Sequence, residues 1–365
     1  MRKYTRMMSA EIYPEELQNL LKPIVSERAN RLEERLKKIR SKSTAYLPKS
    51  IINDYIQGVK SYEEIIKPNL EAYLSVLTLL LQSEYVLEGV EIYITSLEDN
   101  GLTGDLLEKE FNNSSEGLKT AKSSLDELLK NMKTTQEFET VLFAYNFLKQ
   151  SLRYHNAACL RDASNFVFLL NCLATKYYTE GFMDFAEVCL SLRDRRKSNL
   201  VGGMDPLDEL AKTILRSAAA NFQTINYQHI NNPNEQTLYD QTKMFRLPQM
   251  EKAYEQKEYV SAITTAIDMF YDMEFIKHAG FNMHPQWMQK IIEDKRMQFV
   301  ELIQETRKRG RFDGLLSIYY LEQCFMPSTT PNYPAHLMAS FNVARMLIGS
   351  MERDLKSRTD VLTYL

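Results

Sequence analysis

The sequence predicts an all-α protein, and three observations carry that expectation. Glycine and proline are scarce, at 12 and 11 of 365 residues. Glycine is thus about 3% of the chain against about 7% in average usage, and sheet proteins spend glycine on hairpins, bulges and tight turns. Between the breaks, apolar residues recur at helical spacing. No convincing run of strict period-2 alternation interrupts them. With 44% hydrophobic and 25% charged residues, the chain has a globular rather than a disordered composition. Its length suits two or three domains, or one elongated repeat array.

The elements follow in order. Pro14 precedes Glu15 and Glu16 and opens a first helix, because proline is tolerated in a first turn and acids there face the positive end of the dipole. Its apolar stripe is Leu17, Leu20, Leu21, Ile24, Val25, Leu32, Leu36 and Ile39. Its other face carries Arg28, Arg31, Glu34, Arg35, Lys38 and Lys42, which together with the basic clusters at 193–197 and 307–311 could form a patch for RNA phosphates or anionic lipid. Pro48 opens a second helix, and Pro68 follows one ending near Lys67. The most apolar stretch, Leu70 to Leu81, is interrupted by Glu71, Ser75 and Thr78 and falls short of the roughly 18–20 apolar residues that span a bilayer.

Gly101 and Gly104 bracket a loop that the sequence extends through Phe111, Asn112, Asn113, Ser114 and Ser115. This predicts a boundary between an N-terminal helical region, 1–111, and a second region, 115–365. Leu118, Leu125, Leu128, Leu129 and Met132 form another stripe. Thr134-Thr135-Gln136-Glu137 reads as a capped start, and Asp205-Pro206-Leu207-Asp208-Glu209 combines a cap, a first-position proline and first-turn acids. Gly202-Gly203, Asn231–Asn234 and Met326–Pro334 read as loops. About twelve to sixteen helices with short connections are expected.

Three stretches share a further pattern. Ala174, Tyr177, Gly181 and Ala186 make the first, and Lys257, Tyr259 and Ala262 the second. Gly310, Phe312, Tyr319 and Pro327 make the third. A turn residue, a bulky residue two positions on and a small or apolar residue further on are what two antiparallel helices need to reverse and cross closely. The pattern resembles the tetratricopeptide helical hairpin over about a third of the chain. The turns at 181, 257 and 310 depart from that family's regular period of about 34 residues. The resemblance implies an irregular α-solenoid of stacked antiparallel hairpins, and it brings no ligand-binding residue with it.

Chemical motifs are sparse. Cys159, Cys172, Cys189 and Cys324 contain no two-residue spacing of a metal or redox pair, which suits buried free thiols in a reducing compartment. Glu274 and His278 are four apart, with His284 beyond Gly280, a thin basis for zinc. Gly202-Gly203 lacks the lysine of a phosphate loop, and Asp205 and Asp208 would repel phosphate. His155 and Cys159 are read as a surface imidazole and a core thiol, and no Gly-x-Ser-x-Gly is present. No cofactor or metal and no small-molecule substrate is therefore expected, and the chain is not expected to be an enzyme.

The expected function is a non-catalytic interaction or scaffold subunit of a larger assembly, with other protein subunits as partners. Tyrosine is abundant, at 21 residues, and its amphipathic ring suits interfaces. Tyr177, Tyr178, Tyr271, Tyr319 and Tyr320 are the candidate contacts. The alternative is an RNA-contacting helical-repeat protein of a ribonucleoprotein. It would use the basic clusters 193–197 and 307–311, namely Arg195, Arg196, Lys197, Arg307, Lys308 and Arg309. The overall charge of -3 and isoelectric point near 6.1 do not mark a dedicated nucleic-acid binder. An intracellular location is expected. The cytoplasm leads, with the mitochondrial matrix suggested by Arg2, Lys3 and Arg6 without an acid among the first ten residues.

Overall fold

A computed structural model of the chain describes residues 13, 15–42, 47–98, 101–131, 135–161, 164–195, 206–279, 290, 294, 298, 301, 315–323 and 333–362. These residues are helical almost throughout, and no strand occurs among them. They divide into two compact units, Met1–Met132 with Phe143–Arg196, and Lys133–Leu142 with Lys197–Leu365. Among the described residues no helix is long and apolar enough to cross a membrane.

The first unit contains α1 (Glu15–Arg40), α2 (Lys49–Lys60), α3 (Tyr73–Glu98), α4 (Gly104–Asn131), most of α5 (Thr135–Leu160) and α6 (Asn165–Arg195). A π-helical turn, Ser61–Ile66, and a 3₁₀ turn, Lys67–Asn69, carry α2 towards α3. The predicted stripe of α1 faces inward: Leu17, Leu21, Val25, Leu32, Leu36 and Ile39 are buried. Tyr13 packs on Tyr73, Arg28 pairs with Glu84, and Lys42 reaches Thr95. The partner numbers rise together, so α1 and α3 run in the same direction. α6 runs opposite to α3, since Gly181 lies on Leu81 and Gly89 on Leu170.

Two sequence expectations change here. Gly181 is not a turn; it lies inside the 31-residue α6. A Cβ there would sit 2.6 Å from Leu81 Cδ1, so glycine lets two helices approach, and packing outweighs its helix penalty of about 1 kcal/mol. The best match to the tetratricopeptide hairpin is therefore one continuous helix. Phe111–Ser115 is likewise mid-helix in α4. The Ser114 and Ser115 hydroxyls donate to the Phe111 carbonyl at 2.9 and 2.7 Å, a local bond that lets serine sit within a helix. Gly101, with φ +93°, does form the loop before α4.

The second unit contains α7 (Pro206–Gln223), α8 (Pro233–Gln241), α9 (Leu247–Glu255), α10 (Tyr259–Ala279), α11 (Leu315–Gln323) and α12 (Tyr333–Leu362). α10 is its centre. It buries Val260, Ala262, Ile263, Ala266, Ile267, Met269, Met273 and Ile276, and a helix apolar on all sides must be surrounded. α7, α9 and α12 pack around it. Asn232 caps α8, accepting from Asn234 N–H at 2.9 Å with Pro233 in first position, so a helix opens inside the stretch Asn231–Asn234 that the sequence reads as a loop. The expected turn between α9 and α10 is present. Lys257 adopts φ 60° there, the left-handed conformation that ends a helix and that glycine usually supplies. The third expected joint, at Gly310, lies outside the described residues.

Candidate functional site

The tyrosines proposed as partner contacts are largely internal. Tyr177, Tyr178 and Tyr320 are buried, while Tyr271 and Tyr319 are half-buried. The Tyr178 ring stacks on Tyr154 at 5.7 Å and lies 6.2 Å from Tyr85. Tyr177 donates its hydroxyl to Glu88. Burial, with the Glu88 carboxylate beside it, holds that hydroxyl protonated. Burial does the same at Tyr320, aided by Asp268. Tyr271 meets His336 Nδ1 at 2.9 Å. The correction has a simple cause: a tyrosine satisfies its hydroxyl inside a polar network as readily as at a wet interface.

Of the basic candidates, Arg195 ends α6, with its side chain outside the described residues. Arg196, Lys197, Arg307, Lys308 and Arg309 lie outside them altogether. The basic face of α1 is described, and it is turned inward in part: Arg31, Glu34 and Lys38 are exposed, Arg35 is half-buried and Arg28 is buried. Arg28 is only 2% exposed. Its Nε and Nη2 donate to Asp184 Oδ2 at 3.0 and 2.6 Å, and its Nη1 to Glu84 Oε2 at 2.8 Å. Glu180 lies 3.8 Å away. Arg31 stands 3.9 Å from Glu84. Two turns beyond Arg28, Arg35 pairs with Glu88 at 2.9 Å and Glu91 at 3.1 Å, and Lys176 closes on Glu88 at 3.1 Å.

These residues form a ladder across three helices. Arg28, Arg31 and Arg35 come from α1, and Glu84, Glu88 and Glu91 from α3. Lys176, Tyr177, Glu180 and Asp184 come from α6. The α1 and α3 sets are spaced at three or four residues, as are Tyr177, Glu180 and Asp184 with Lys176 beside them, and so each occupies one face. Burial works against the Arg28 charge, but Glu84 and Asp184 outweigh it and keep the guanidinium protonated. Burial raises Glu84 above the ordinary carboxylate range despite Arg28, and raises Glu180 as well. Glu88 goes the other way: burial pushes it up, but Arg35, the Tyr177 hydroxyl and Lys176 together pull it below that range.

Chemically, the ladder fixes helix register. Each of its carboxylates faces a cation, so none stands as a lone base beside a nucleophile. Replacing such a cluster by well-packed apolar residues is often neutral, so its value lies in specifying one arrangement rather than in net stability. The sequence reads α1's arginines as part of a basic patch and does not reveal their partners. The available signal was three acids at 84, 88 and 91 within a helix that is otherwise strongly apolar. Charges there must be buried and therefore paired.

Glu274 is buried in the second unit. Lys277 Nζ lies 2.8 Å from its Oε1, and Asn342 Nδ2 donates to its Oε2. His278 Nδ1–H donates to the Glu274 backbone carbonyl at 2.7 Å. With a lysine and an amide on the carboxylate, this is a hydrogen-bonded cluster and not a cation site. His284 lies outside the described residues. Among the described residues no group of three or more His, Cys, Asp or Glu is arranged to hold a metal.

His155 and Cys159 invert their sequence assignment: Cys159 is exposed and His155 half-buried. The most prominent surface feature is the π-helical turn Thr242–Arg246 that joins α8 to α9. Thr242 is buried and Arg246 pairs with Asp272. These inward contacts turn Met244 and Phe245 outward, where they are 62% and 66% exposed. Tyr227, 42% exposed, reaches the preceding turn through Asp240 Oδ2 at 3.4 Å. Comparison with known protein families, with curated proteins and with solved structures finds no match.

Proposed function

We propose that the chain is a non-catalytic protein–protein interaction subunit, a scaffold within a larger intracellular assembly. The observation that supports this is the side-by-side exposure of Met244 and Phe245 at the π-helical turn. Isolated apolar residues on a surface need no explanation, but adjacent large ones on a turn held rigidly from beneath suit a contact. Covering each side chain would contribute about 1.5–3 kcal/mol. Methionine adapts to an irregular partner, and an aromatic ring anchors in a pocket.

The test is affinity purification of the full chain from its native source, beside a Met244→Ser/Phe245→Ser variant. Co-purifying chains lost with the variant are the expected result. A protein recovered alone and monomeric at high concentration overturns the reading.

A further inference from the structure

We propose that Cys159 is a peroxide-reactive thiol, with His155 as the base that takes its proton. The two residues lie four apart on α5, and Cys159 Sγ stands 3.6 Å from His155 Nε2, within reach of a sulfur hydrogen bond. The imidazole does not hang free on the surface. It stacks on Phe111 of α4, with ring centres 5.4 Å apart and planes 15° apart. Phe111 in turn stacks on Phe168 of α6 at 6.0 Å. Three helices therefore hold the ring in one orientation.

That orientation separates the two ring nitrogens. Nδ1 is buried and meets no hydrogen-bond partner among the described residues. Nε2 points to the sulfur. Burial, with Lys122 nearby, lowers the imidazole below its ordinary basic range, so at neutral pH it is uncharged and has a lone pair to offer. The other described thiols lack this access. Cys172 and Cys189 are buried, and burial pushes the Cys172 thiol up to about 12. The packing thus sets Cys159 apart by access and by a neighbouring base together.

The step balances with a peroxide as oxidant. Sulfur attacks one peroxide oxygen, an S–O bond forms and the O–O bond breaks. The thiol proton passes to Nε2 and then to the departing oxygen, which leaves as water or an alcohol. Sulfur is oxidised to sulfenic acid and the peroxide is reduced.

The experiment treats the full chain with hydrogen peroxide, traps sulfenic acid with a dimedone probe and maps the site by mass spectrometry. Rates are compared between the native chain, the chain unfolded in urea, and a His155→Phe variant that keeps an aromatic ring against Phe111. Unfolding exposes Cys159 further but removes His155 from its side, so a thiol that is merely accessible reacts faster when unfolded. A base-assisted one reacts slower. The expected result is native labelling at Cys159 that falls about ten-fold on unfolding and about as much in the variant. Circular dichroism checks that the variant is folded; if it is not, His155→Gln takes its place. A native rate equal to or below that of the unfolded chain, or a folded His155 variant that reacts at the native rate, overturns the proposal.

Discussion

Each unit of the molecule buries a charge, and the two do it differently. In the first, Arg28 is buried against carboxylates from two other helices, Glu84 of α3 and Asp184 of α6. In the second, Glu274 is buried against Lys277 one turn along its own helix, with Asn342 of α12 completing it. Lys277 also donates to Asn221 of α7. The second arrangement forms half of its compensation locally, as any i,i+3 pair on a helix does. The first exists only once three helices have met. A buried charge compensated from afar specifies which helices pack and in what register, whereas one compensated locally mainly keeps a helix intact while amides tie it to its neighbours.

The comparison predicts its own hierarchy of effects. Arg28→Met leaves Glu84 and Asp184 without their cation and should destabilise the first unit by about 3–5 kcal/mol, read as a lowered urea midpoint. The double variant Arg28→Met/Glu84→Leu should recover most of that loss, because the deeply buried carboxylate leaves with the cation and Asp184, a third exposed, can be solvated. A double variant as unstable as the single one would show that the ladder is worth more than its desolvation cost. Glu274→Leu should cost less, about 1–3 kcal/mol, since Lys277 is partly exposed and only Asn342 loses a buried acceptor.

Glycines sharpen the contrast. Gly181→Ala in the first unit drives a Cβ to 2.6 Å from Leu81, and the overpacking should exceed the helix gain and leave a net loss of about 1 kcal/mol. Gly349→Ala in the second unit meets nothing within 4 Å among the described residues and should stabilise by about 0.5–1 kcal/mol. Thermal unfolding checks both signs, and a stabilised Gly181→Ala would show that α3 and α6 have room to separate.

The smallest effects concern pH. Glu88 is depressed in the folded state, so the stability it contributes is present above the ordinary glutamate range of about 4.3 and is lost as pH falls through its folded value. Glu84 is raised, so above that range the folded state binds its proton first and gains stability as pH falls. Glu88→Gln should therefore flatten the acid-side loss of stability, and Glu84→Gln should steepen it. Urea midpoints between about pH 3 and 6 test this. Slopes that change in the same direction would contradict the ladder's charge assignment.

The legible and illegible parts of the sequence separate along these lines. The inward stripe of α1, the proline that opens α7 and the turn at Lys257 all rest on neighbours within a few residues. The Gly101 loop depends on one residue's backbone freedom. Gly181 was illegible because a glycine at a turn and a glycine at a close approach look the same in a sequence; Leu81, which decides between them, lies 100 residues away. Ser114 and Ser115 misled for a related reason, since their hydroxyls bond the helix that their composition argues against. The exposure of Met244 and Phe245 depends on where Thr242 and Arg246 are pinned, and apolar residues by default read as core. The exchange of roles between His155 and Cys159 turns on Phe111, from a different helix.

Composition and periodicity thus determine by themselves that this chain is helical, where several of its helices begin, and which face of α1 is apolar. These properties follow from local backbone and side-chain preferences and from the 3.6-residue repeat, all written in consecutive residues. Tertiary structure alone decides that Arg28 of α1 is buried, that α6 is one helix rather than two, and that α1 and α3 lie in parallel. Those outcomes turn on which distant carboxylate or leucine occupies the facing position. A charge or a missing side chain takes its meaning from what is packed against it.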